Sequence, residues 1–256
     1  MSLRGFQQAL SELVMSPRFR SRVAEGPGEA LAAYDLSDQE RRRLESLAHD
    51  AGMKTGTLIH RSFRLSMLSN TLPRTCKVLG TQGLKELIDA YWRDHLPRNY
   101  VYAQEARRFA AFVLERLRAG EVANDYVEEV LETELALLAL GEEPPWQLPR
   151  DEPPAGPAGW TSRLHPSCRI VPFRHDPDRV LGTLAQGNVP ADLPVGEFYL
   201  LLVGRDGTVD LKPVSREQGR LLQAYDGGGG RVEPGPAPPE VGELVRTGYL
   251  VRLLRP

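Results

Sequence analysis

Cysteine is scarce in this chain: only Cys76 and Cys168 occur in 256 residues, far apart in sequence. That count excludes a disulfide framework and a clustered zinc motif built from neighbouring thiols. Long apolar runs are missing too. Every hydrophobic stretch is broken well before the roughly 18–20 residues that a membrane span requires. The opening Met1-Ser2-Leu3-Arg4-Gly5-Phe6 lacks the apolar core of a secretory signal, so a cytoplasmic protein is expected. Catalytic signatures are absent as well. There is no Walker loop, no Gly-x-Ser-x-Gly elbow and no His-Glu-x-x-His. The glycines at 227–230 lie outside any strand-to-helix G-x-G-x-x-G frame and read as loop.

What is present is the composition of a globular protein, 41% hydrophobic and 26% charged, with length enough for one large or two ordinary domains. The 32 basic and 34 acidic residues nearly cancel, but unevenly along the chain. Residues 1–118 carry 19 basic and 13 acidic side chains, whereas 119–152 carry 1 basic and 10 acidic. Such a division either steers a partner or marks solvated helix faces.

The pattern predicts an α+β protein. Residues 1–140 read as an all-helical domain, because apolar residues recur at helical spacing throughout. Ser37-Asp38-Gln39-Glu40 is a capping box that opens one helix, and Pro73 forces a boundary between two others. Later helices carry Leu84, Leu87, Ile88, Tyr91 and Trp92, then Phe109, Phe112, Val113 and Leu117. The last of them, over 121–140, turns Val127, Val130, Leu131, Leu135 and Leu138 inward. Proline and glycine over 141–159 form a linker.

Residues 160–256 then form a small α+β domain. Cys168–Phe173 is a short strand that Pro172 confines to a sheet edge. Phe198–Val203 is a strong strand, Gly204-Arg205-Asp206-Gly207 a hairpin turn, and Thr208–Lys212 an alternating return strand. Ser215 caps a helix bearing Leu221, Leu222 and Tyr225, a short helix spans Glu240–Thr247, and Tyr249–Leu253 closes as a strand. A hairpin followed by two small helices suits a winged-helix-like or peptide-clasping element.

Candidate chemistry is thin. The histidines at 49, 60, 95, 165 and 175 are dispersed; His165 and His175 flank Cys168 but need a fourth ligand to hold zinc, and read better as surface imidazoles. Cys76 reads as a small core residue, and Glu128, Glu129, Glu132 and Glu134 as a solvent-facing acidic cluster. No catalytic residue, metal ligand or cofactor site is assigned.

The stretch Met67-Leu68-Ser69-Asn70-Thr71-Leu72-Pro73-Arg74-Thr75-Cys76-Lys77-Val78-Leu79-Gly80, with Leu84 through His95-Leu96-Pro97 after it, resembles the HvfC/BufC family. That family shows Ala-Leu-x-x-Thr-Phe-Pro-x-x-x-x-Leu-x-Gly and then a helix ending in His-Pro-Pro. Here Leu72 stands for the phenylalanine and Leu96 interrupts the His-Pro pair. Residues 1–60 resemble the helical segment added in relatives such as the methanobactin partner MbnC.

The resemblance implies a non-catalytic partner in the biosynthesis of ribosomally made, post-translationally modified (RiPP) peptides, one that forms a heterodimer. It would bind the leader of a precursor peptide and present the core to a multinuclear iron-dependent oxidase for cysteine modification. The second half likewise resembles a PqqD-like leader-recognition element. In that arrangement the peptide pairs with the edge near Val209, Leu211 and Lys212 and lies in a groove lined by Leu244, Val245 and Tyr249. The same apolar residues would alternatively fill the small domain's core. Relatives also carry a label of DNA-binding domain, which makes a DNA-binding transcriptional regulator the alternative. Arg41-Arg42-Arg43 and the Arg61/Arg64 pair are its best basic groups. A pI near 6.3 disfavours it, and no membrane partner is expected.

Overall fold

A computed structural model describes residues 3–95, 101–142, 160–205, 207–226, 231–232 and 239–254. The class is α+β. The chain divides into two compact units, one of residues up to 76 together with 80–116, the other of 77–79 together with 117 onward.

The first unit holds helices α1 (Leu3–Met15), α2 (Pro17–Glu25), α3 (Pro27–Ala30), α4 (Asp38–His49) and α5 (Ala51–Thr71), with most of α6 (Pro73–Asp94) and α7 (Tyr102–Arg118). Local chemistry sets their ends. The Ser37 hydroxyl accepts the Glu40 N–H at 3.3 Å while the Glu40 carboxylate accepts the Ser37 N–H at 2.7 Å, the capping box read from sequence. Pro73 stands at the first position of α6, where its missing N–H costs nothing, and α5 stops at Thr71. Within α6, Gly80 takes φ +67, a conformation cheap only for glycine, and the helix breaks direction there. Ala9, Leu13, Phe19, Val23, Leu31 and Leu44 make one core. Tyr91, Phe109 and Phe112 are buried together, with ring centroids 5.4–5.5 Å apart around Tyr91. The short helices α2 and α3 were not legible as separate elements.

The second unit contains α8 (Val127–Glu142), β1 (Trp160–Leu164), β2 (Cys168–Phe173), α9 (Pro177–Ala185), β3 (Phe198–Arg205), β4 (Thr208–Val214), α10 (Arg216–Ala224), β5 (Arg231–Val232), α11 (Pro239–Arg246) and β6 (Leu250–Leu254). Helix α8, expected to close a helical domain at 140, instead belongs here and packs on β2 and β3. The linker expected over 141–159 lies outside the described residues from 143 onward, as do the glycines at 227–230.

Among the described residues two antiparallel three-stranded sheets form, β5-β1-β6 and β2-β3-β4. The hairpin strands β3 and β4 fall where the apolar run and the alternating run in the sequence place them, and Pro172 does sit on an edge strand. Strand β1 and helix α9 were not anticipated. Directly opposed residues share a face, so Cys168, Ile170, Tyr199, Leu201 and Val203 point one way, into a core with Leu222, Tyr225, Val241, Leu244 and Leu250. Val171, Leu200 and Leu202 point the other way and are also buried. A sheet buried on both faces has β3 apolar at nearly every position, which is what Phe198–Val203 supplies.

Candidate functional site

Strand β4 is the outer strand of its sheet, and among the described residues it pairs only with β3. Its register places Val209 opposite Gly204, Leu211 opposite Leu202 and Pro213 opposite Leu200. These three therefore share the face of Leu200 and Leu202, over which α8 lies. Lys212 stands opposite Leu201 and belongs to the other face.

The six expected binding residues are thus not brought to one groove. Val209 and Leu211 occupy one face; Lys212, Leu244, Val245 and Tyr249 occupy the other. Leu244 is a buried core residue, and Val245 and Tyr249 pack against that core. The groove expected beside the last helix is filled by the protein itself, and the reading of these three as core is the one the packing supports. A one-residue alternation decides this, because neighbours in a strand point to opposite faces.

The face of Val209 and Leu211 is more open. Leu211 is 37% exposed, and Pro213 is exposed beside it. Helix α8 covers β2 and β3, and its end meets the sheet at Gly204: a Cβ placed there would stand 3.9 Å from Leu140 Cδ2. Leu135, Leu137, Leu138 and Leu140 on this last stretch of α8 are all half-buried. The run Leu135-Ala136-Leu137-Leu138-Ala139-Leu140 spreads leucines over more than one helix face, and that breadth was the signal available for an apolar shelf here.

Several other expectations change. Glu129 and Glu134 are buried, at 3% and 2% exposure, so the acidic cluster does not simply face solvent. Burial raises the Glu132 carboxyl above its ordinary value, helped by the charge of Glu128. Both carboxylates, with Asp125, Glu129 and Glu197, line a cavity of about 330 Å³ that also holds Arg174. His165 and His175 are buried rather than surface imidazoles. His165 Nδ1 accepts the Ser167 N–H at 3.0 Å, and Cys168 sits in the core, where burial pushes its thiol up to about 11. No group of three potential metal ligands occurs among the described residues. Cys76 is half-buried rather than a core residue.

The basic groups considered for DNA are largely engaged. Arg64 is buried against Glu105, Arg61 pairs with Asp89, and Arg41 donates to the carbonyls of Leu31 and Tyr34 at 3.2 and 3.4 Å. No helix among the described residues is long and apolar enough to cross a membrane. No protein-family model matches the sequence, and no curated protein matches it.

Proposed function

We propose that this chain is a non-catalytic peptide-binding partner. It takes the leader of a ribosomally made precursor as a fourth strand on β4 and presents the precursor to a multinuclear iron-dependent oxidase for cysteine modification. The observation that carries the reading is the side of β4 that no described strand pairs, with Leu211 exposed on the face where α8 lies over β2 and β3. An added strand satisfies its backbone groups along such an edge, which gives affinity, while alternate side chains supply selectivity. On one face they would meet Val209 and Leu211 and approach the leucines of α8. On the other they would meet Asp210 and Lys212. A leader that alternates apolar and polar residues fits this edge. Pro213 offers no N–H, so pairing is confined to about 208–212. The iron and its ligands belong to the oxidase.

The DNA alternative draws less support, since Arg64, Arg61 and Arg41 serve internal contacts. The two readings separate in one titration series. A synthetic eight-residue peptide alternating valine and threonine should slow amide exchange across 208–212 with little dependence on salt. Leu211→Asp should weaken it by on the order of tenfold or more, because a charge would be buried under the added strand. Coexpression with the oxidase should yield a stoichiometric complex. Steep salt-sensitive retention of DNA with no peptide protection would instead select the regulator.

A further inference from the structure

The first unit contains a cavity of about 170 Å³ that the peptide reading does not use. Its wall brings together Arg18 from α2, Arg61 and Arg64 from α5, and Asp89, Trp92 and Arg93 from α6. Four guanidinium groups thus face one carboxylate. That carboxylate is already matched, by Arg61 and by Lys85 Nζ at 3.2 Å. Arg64 is matched by Glu105, whose carboxylate accepts its Nε–H at 2.8 Å. Arg18 and Arg93 have no hydrogen bond or ion pair among the described residues, so the cavity wall carries positive charge that the described residues do not neutralise.

Two further features favour an acceptor in this space. The Trp92 indole N–H is buried and finds no hydrogen-bond acceptor among the described residues. A buried donor left unmade is costly, and an oxygen ligand in the cavity would relieve it. The Arg61 and Arg64 guanidinium carbons lie 5.1 and 5.2 Å from the Trp92 ring centroid, so both cations stand over that ring. The wall also includes Ser16 and Pro17, the positive end of α2, whose Ser16 hydroxyl caps the helix at the Phe19 N–H. Planar guanidinium forks match the oxygens of phosphate and carboxylate groups, and their convergence on a small concave space is how such groups are recognised.

We propose that this cavity binds an oxyanion, a phosphate or a carboxylate group, through Arg18, Arg93 and the Trp92 indole N–H. The site is in the first unit and stands independently of peptide binding at β4.

The test uses the full chain with three salts at matched ionic strength: sodium phosphate, sodium glutarate and sodium chloride. The readouts are the thermal midpoint and the Trp92 indole N–H resonance, assigned by its loss in Trp92→Phe. A saturable shift of that resonance with a rise in midpoint is expected for phosphate or glutarate, and whichever acts identifies the source of the oxyanion. The R18E/R93E double variant alters two exposed side chains and should weaken the response at least about tenfold, the scale of losing one charge-assisted hydrogen bond. If that variant melts early, Arg18→Gln supplies the same comparison at one position with a milder change. No response beyond that of chloride, or a full response in the arginine variants, would overturn the assignment.

Discussion

His175 Nδ1 lies 3.0 Å from Glu129 Oε1 in a buried pair that links the segment after β2 to the first turn of α8. The other carboxylate oxygen accepts the backbone N–H groups of Arg174 at 2.8 Å and His175 at 3.3 Å. One carboxylate therefore satisfies three groups that no strand or helix ladder serves. Glu129→Ala should cost about 2–3 kcal/mol, since it leaves buried donors unmade. Urea denaturation checks this, and a cost under about 0.5 kcal/mol would show that the segment finds other partners.

The same residue gives a pH dependence. Burial holds the Glu129 carboxyl above its ordinary 4.5, against the lowering influence of the Arg174 N–H and of His175. A carboxyl raised in the folded state contributes stability that is complete below its unfolded value and is lost as pH rises through the folded one. Glu129→Gln cannot ionise and should lack that loss. The stability difference between the natural chain and this variant should therefore shift against the natural chain as pH rises above the ordinary carboxyl value. A flat difference would contradict the assignment.

Arg64 and Glu105 form a buried ion pair beneath Tyr91 and Trp92, with Arg64 also donating to the His95 carbonyl at 3.2 Å. Removing either partner alone strands a charge, so Arg64→Met and Glu105→Met should each cost about 3–5 kcal/mol. The double variant should recover most of that loss. A double-mutant cycle by chemical denaturation measures the coupling, and additive losses would deny it.

Gly219 marks where α10 meets the sheet. A Cβ there would come within 2.1 Å of the Tyr199 ring, and no small rotation of a ring root absorbs such an overlap. Gly219→Ala should destabilise by about 1–3 kcal/mol or more, although alanine is the better helix former. In a double-mutant cycle, Gly219→Ala should cost less on a Tyr199→Ala background than in the natural chain. A thermal melt in which Gly219→Ala is neutral or stabilising would refute the close packing.

Leu211 and Leu244, both expected to touch peptide, should now separate by phenotype. Leu244→Ala opens a cavity in the core and should cost about 2–5 kcal/mol. Leu211→Ala should change stability by under about 1 kcal/mol and act on peptide affinity instead, because its side chain is already 37% exposed. Parallel melts and peptide titrations of the two variants resolve this; equal melting losses would place Leu211 in the core as well.

Features governed by near neighbours were legible in the sequence. The Ser37 capping box, the Pro73 boundary, the β3–β4 hairpin and the Ser215 cap each rest on contacts a few residues apart. Features governed by distant partners were not. Strand β1 is recognisable only through β5 and β6, its partners far along the chain. Glu129 and His175 look like surface residues until each supplies the other's burial, and α8 looks like one more member of a helical domain until its sheet is in place. The edge strand of the candidate site was legible from Thr208–Lys212, whereas its groove was not. The parity of Val209 and Leu211 depends on register with β3, and which face stays open depends on where α8 ends.

The pairing of β1 with β6 has a consequence in time. Trp160 finds its partner at Leu254, roughly ninety residues later, so this ladder closes a long loop at an entropic cost that no local contact repays. During synthesis β1 must wait for β5 and then β6 to emerge before its ladders can form. The β2-β3-β4 sheet needs only nearby sequence and can assemble first. The edge at β4 would then be complete, and open to another strand, while the second sheet is still unmade. An alternating peptide supplied early would compete with β-rich aggregation at that edge, and the yield of folded protein should rise with its presence.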